Sequence, residues 1–121
     1  MMSHRKPVQQ TSVQLCYTSS GFNLRMNALD NDIQSNYTEC NAPVFRMDAM
    51  EAFLAYGNPS PYAKHYFELD MSPYNVLFGA SVYNPNGVCN GIQDTLLPCE
   101  GTGYVVLLHR CNSVVCAHLP R

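Results

Sequence analysis

The chain has 121 residues with nine acidic and seven basic side chains, a formal net charge of −2, and 46% hydrophobic against 13% charged residues. That length fits one domain, the apolar content excludes compositional disorder, and charges scattered without runs leave no footprint for nucleic acid or an anionic membrane surface. No stretch approaches the roughly 20 apolar residues that cross a bilayer, so no membrane insertion is expected.

The start, Met1-Met2-Ser3-His4-Arg5-Lys6-Pro7, runs into polar Gln9-Gln10-Thr11 and lacks the apolar core of an export signal. Six cysteines in a short chain, with an Asn36-Tyr37-Thr38 acceptor sequon in a polar stretch, suit an oxidising compartment instead. The two signals reconcile if the chain comes from an extracellular or cell-surface protein whose natural N-terminus lies elsewhere. Residues 1–11 read as a flexible lead-in.

Val13, Leu15 and Tyr17 alternate with Gln14, Cys16 and Thr18, and Phe22, Leu24, Met26 and Ala28 alternate with Asn23, Arg25 and Asn27. Period-two alternation puts each apolar set on one face of a strand, and Thr18-Ser19-Ser20-Gly21 between them predicts a hairpin turn. From Asp30 to Pro43 the chain is rich in Asn, Asp, Ser and Thr without a sustained period, which predicts a long surface loop carrying the sequon.

Over Asp48–Tyr56, Met50, Ala52 and Leu54 alternate with Glu51 and Phe53; a strand is preferred over a short helix. Asn58-Pro59-Ser60-Pro61 ends it, because proline cannot donate to a ladder. Next, Tyr66, Glu68 and Asp70 share one face of a strand and Phe67, Leu69 and Met71 the other. Ser72-Pro73-Tyr74-Asn75 reverses the chain into a strand over Asn75–Tyr83, with Val76, Phe78, Ala80 and Val82 on one face. Asn84-Pro85-Asn86-Gly87 has the residue preferences of a type I turn, and Val88–Gly103 reads as a loop. Several short strands between Gly, Pro and Asn turns predict an all-β, antiparallel sandwich or barrel.

The segments Asp48-Ala49-Met50-Glu51-Ala52-Phe53-Leu54, Tyr66-Phe67-Glu68-Leu69-Asp70, Met71-Ser72-Pro73-Tyr74-Asn75-Val76-Leu77-Phe78 and Tyr83-Asn84-Pro85, in that order and spacing, resemble the family 9 carbohydrate-binding modules of the DOMON-like group. The resemblance covers residues 12–104 and implies a two-sheet antiparallel β-sandwich that binds oligosaccharide or polysaccharide without catalysing a reaction, as a monomer, with any glycoside hydrolase activity on an attached domain. Residues 105–121 form an atypical tail with no counterpart in the family pattern, so the expected sandwich is incomplete and exposes an unpaired edge. Family members commonly stack sugars on tryptophan, and this chain has none. The alternative is a structural or protein-interaction sandwich that has lost the sugar site. Haem binding, found in some DOMON-like relatives, lacks a clear axial pair, since His65 and scattered methionines are commoner as packing groups.

Tyr56, Tyr62, Tyr66, Tyr74 and Tyr83 offer flat amphipathic faces for a sugar ring, and Asn84, Asn86 and Asn90 offer polar contacts. Asp48, Glu51, Glu68 and Asp70 are hard oxygen donors on neighbouring strands that suit Ca²⁺, as do Asp30 and Asp32, although ordinary surface carboxylates are the commoner reading. No cofactor is required. Two carboxylates are also the minimum for glycoside hydrolysis, but two on one strand edge are more often solvated charges. Cys89 and Cys99 are expected to form a disulfide closing a short loop; Cys16 and Cys40 could form a second, a connectivity the sequence does not fix. In the tail, His109, Cys111, Cys116 and His118 lack the spacing of a zinc finger.

Overall fold

The computed structural model describes residues 10–19, 21–57 and 61–100, together with the backbone of 109–111 and 114–116. The lead-in residues 1–9, Ser20 of the first turn, Asn58 to Ser60 of the proline turn and most of the tail lie outside the described residues, as do the side chains of the zinc-type set.

The described chain is all-β and antiparallel throughout, with one short 3-10 turn at Val44–Arg46, in agreement with the class predicted from alternation. It divides into two compact units, one formed by 1–33 with 104–121 and the other by 34–103.

In the first unit, β1 (Thr11–Thr18) pairs with β2 (Gly21–Ala28) from Thr11↔Ala28 to Thr18↔Gly21. This register puts Val13 opposite Met26, Leu15 opposite Leu24 and Tyr17 opposite Phe22, so the apolar residues share a face as their spacing requires. Asn27 Nδ2 donates to Ser12 Oγ at 3.2 Å on the polar side. Leu24 is buried, whereas Val13, Leu15 and Tyr17 are exposed. Two three-residue strands, β7 (His109–Cys111) and β8 (Val114–Cys116), pair in the same unit.

The second unit is a four-stranded sheet in the order β3 (Met50–Leu54), β4 (His65–Met71), β5 (Leu77–Tyr83), β6 (Gln93–Leu96). Its core is Val44, Val76, Phe78, Ala80 and Val82, with Tyr37, Ala49 and Tyr66 packed against it. The face of β5 predicted to be apolar is therefore the core face, and the polar segment before β3 folds over it: Phe45 meets Phe78 edge-on at 5.2 Å. β4 and β5 are joined by a tight turn in which buried Ser72 Oγ accepts from the N–H groups of Tyr74 and Val76, at 3.2 and 3.1 Å. Asn75 takes the left-handed conformation there, φ 64°, a geometry that asparagine tolerates better than most residues.

Two sequence expectations are overturned in this unit. Val88–Gly103 is not all loop, because Gln93–Leu96 adds an edge strand to β5 with Tyr83↔Gln93 and Ala80↔Leu96 opposite one another. The expected Cys89–Cys99 pair does not form either: the disulfide is Cys40–Cys99, Cα–Cα 6.1 Å, and Cys16 and Cys89 are free and exposed. The new strand is the reason. Four extended residues span roughly 10 Å, which separates Cys89 from Cys99, while Cys99 is carried beside the segment that starts at Cys40. Asn41 fixes that contact, since its N–H donates to Leu77 O at 2.7 Å and its Nδ2 to Leu97 O at 2.8 Å. Its Oδ1 accepts from Gly79 N–H at 3.1 Å. The suggested Cys16–Cys40 pair falls with the first, since Cys40 is already bonded.

Candidate functional site

The first residue of β4 lies opposite the last of β5, which sets His65 directly across from Tyr83. Their rings stack at 4.4 Å with an interplanar angle of 20°. Both side chains are exposed. Three residues upstream, the Tyr62 hydroxyl donates to Pro85 O at 2.9 Å. The Tyr62 ring also packs under Gly87, φ +65°, where an added Cβ would come within 2.9 Å of it. The predicted Asn84–Gly87 turn thus does two jobs: glycine supplies the left-handed backbone and the room for the ring. Asn84 N–H donates to Lys64 O at 2.7 Å, continuing the ladder one step past the strands. Its Oδ1 is buried without a hydrogen-bond partner, and Asn86 is exposed in the turn.

Of the expected ligand residues, Tyr62, Tyr83, Asn84 and Asn86 therefore gather at one end of the sheet. Tyr56 belongs to the same end, fully exposed two residues beyond Leu54, whose register partner is Phe67. Tyr66 does not join them, because it is next to His65 on β4 and so faces the opposite side. Tyr74 sits in the turn at the other end of the sheet. His65 had no place in the expected sugar site, and its role depends on the cross-strand register.

The carboxylates divide as well. Asp48 precedes β3 and holds the covering segment, its Oδ2 accepting from Gln34 N–H at 2.6 Å while its own N–H donates to Gln34 O at 3.1 Å. Glu51, Glu68 and Asp70 share a face: Glu51 is opposite Asp70, Phe53 opposite Glu68, and Asp70 opposite Phe78. Asp94 reaches the same face from β6, opposite Val82. This is the core face, so Asp70 is only 1% exposed, and neither of its carboxylate oxygens has a hydrogen-bond donor. Burial, then the neighbouring Glu68 and Glu51, pushes its carboxyl up to about 7. Glu68 is raised by burial first and then by Glu51 and Asp94. Tyr66 rises through burial, Glu68 and Cys89. Among the described residues no group of three or more His, Cys, Asp or Glu is arranged to hold a metal ion, so the expected Asp48, Glu51, Glu68 and Asp70 set does not converge on one point.

A protein described as an extracellular protein, from Arthroderma benhamiae, is 34% identical over 84 residues, which is 68% of this chain and 37% of the relative. The chain thus spans little more than a third of that relative's length. Neither a protein family model nor a solved structure matches the chain.

Proposed function

We propose that this chain is a non-catalytic carbohydrate-binding domain of an exported protein, with its sugar platform at the Tyr83 end of the four-stranded sheet. The observation that carries this reading is the exposed His65–Tyr83 stack. Stacking covers one face of each ring, and the exposed remainder of the pair, fixed by the strand register, is an aromatic surface of the kind that complements the C–H face of a pyranose. The exposed Asn86 in the adjoining turn supplies hydrogen-bonding groups for sugar hydroxyls. An antiparallel β fold, a disulfide suited to an oxidising compartment, an extracellular relative and the resemblance to family 9 modules support the same reading.

Ligand that binds only the native state raises the unfolding midpoint by mass action. A panel of soluble oligosaccharides is therefore expected to contain at least one class that raises the midpoint of the oxidised protein. Tyr83→Ala should remove that shift while leaving the unliganded midpoint within a few degrees, because the ring is at the surface. A panel with no active member returns the domain to the second reading, a protein-interaction domain, which is favoured by the exposed apolar row Val13, Leu15 and Tyr17 on β1.

A further inference from the structure

Asp70 is 1% exposed, and neither of its carboxylate oxygens has a hydrogen-bond partner. A buried acidic group in that state is rare, because ionising it there costs its full desolvation. The strands on either side of it are fixed by ladders, β3 through Glu51↔Asp70 and β5 through Asp70↔Phe78. The layer above is held differently. Residues 42–47 lie between two anchors: Asn41, bonded to Leu77, Leu97 and Gly79 next to the Cys40–Cys99 disulfide, and Asp48, bonded to Gln34. Between the anchors the turn Val44–Arg46 packs on β4 and on the core residues of β5, with Val44 fully buried and Phe45 edge-on to Phe78. The backbone bonds of this turn are local, from Arg46 N–H to Pro43 O at 3.1 Å and from Met47 N–H to Val44 O at 3.0 Å.

We propose that residues 42–47 are a pH-dependent lid, closed while Asp70 keeps its proton and loosened when Asp70 ionises, which uncovers the apolar strip of β5. The inference is independent of the sugar reading. An ionised Asp70 is driven towards water by its burial, then by repulsion from Glu68 on its own strand and from Glu51 across the ladder. Among the described residues this face otherwise carries Tyr66, Asp94 of β6, Phe78, Ala80 and Val82 of β5, and Tyr37 of the covering segment. The charged residue of the lid itself, Arg46, is exposed. β4 is paired along both edges and resists parting, whereas the lid is retained by the apolar contacts of Val44 and Phe45. Water therefore enters from the lid side, through a local opening that leaves the sheet intact.

Amide hydrogen exchange followed by NMR between about pH 5 and pH 8, on wild type and Asp70→Asn, tests this. An opening that releases one proton makes the opening equilibrium rise about tenfold per pH unit up to about 7 and then level off, beyond the base catalysis common to all amides. The Arg46 and Met47 amides of wild type should show this extra rise, and those of Asp70→Asn should not. A local opening exposes little surface, so exchange of these amides should be insensitive to low urea, whereas the more protected β5 amides, which exchange through global unfolding, should speed up. In wild type the Asp70 carboxyl resonance should titrate with its midpoint where the extra rise ends, a readout that needs no variant. Equal protection and equal urea sensitivity of lid and β5 amides overturns the inference, since the sheet and its cover then open only together. So does an Asp70 carboxyl that titrates in the ordinary carboxylate range, or an extra rise that survives in Asp70→Asn. Cancellation of the rise by added calcium also overturns it, assigning the carboxylates to a metal ion.

Discussion

Asp70 concentrates the electrostatic tension of the sheet in one side chain. It faces Phe78 on one side and Glu51 on the other, under a covering segment that gives its oxygens no donor. Raised from 3.8 to about 7, the carboxyl holds its proton in the folded protein over a range where the unfolded chain has released it. The folded state then binds more protons, so stability falls as pH rises from about 4 to 7 and levels off above. The loss is on the order of 2–4 kcal/mol. Asp70→Asn keeps the shape, removes the titration and should be more stable than wild type at pH 8, with a flat profile across that window; urea unfolding at several pH values checks it. Alternation already placed Glu68 and Asp70 on one face. It did not reveal that this face is the core side, because Phe67, Leu69 and Met71 make the other face of β4 at least as apolar.

At the scale of elements, the edge strand β6 exists through what holds it. Gln93-Asp94-Thr95-Leu96 is short, exposed and without an apolar alternation, so nothing local distinguishes it from loop. Its order comes from pairing with β5 and from the clamp after it, where Asn41 bonds Leu97 and Gly79 beside the disulfide. Asn41→Ala loses the side-chain bonds to Leu97, Gly79 and the Cys99 sulfur and must keep φ at 60°, a cost of about 2–3 kcal/mol. Asn41→Gly should recover the backbone share of that cost, and denaturant unfolding of the two variants separates the contributions. Strands β1 to β5 were legible because alternation and turn residues agree along them. The cysteine pairing was not, since it depends on a strand register that no single segment encodes. The same holds for the His65–Tyr83 stack, whose members are far apart in sequence.

For the molecule as a whole, the sequon lies where a glycan would not disturb packing. Tyr37 packs against the core while Asn36 and Thr38 on either side are exposed. Secreted from a eukaryotic host, the protein is expected to carry one N-linked glycan at Asn36, seen as a mass that an N-glycosidase removes and that Asn36→Gln never acquires.

The Cys40–Cys99 bond joins residues 59 positions apart, and β3, β4, β5 and β6 all lie between them. The four-stranded sheet is thus enclosed in a covalent ring. Tension applied to the two ends of the chain passes through the sulfur–sulfur bond and bypasses the sheet, which keeps its length until that bond is broken. Reduction turns the ring back into a tether, with roughly 200 Å of additional contour to give under load.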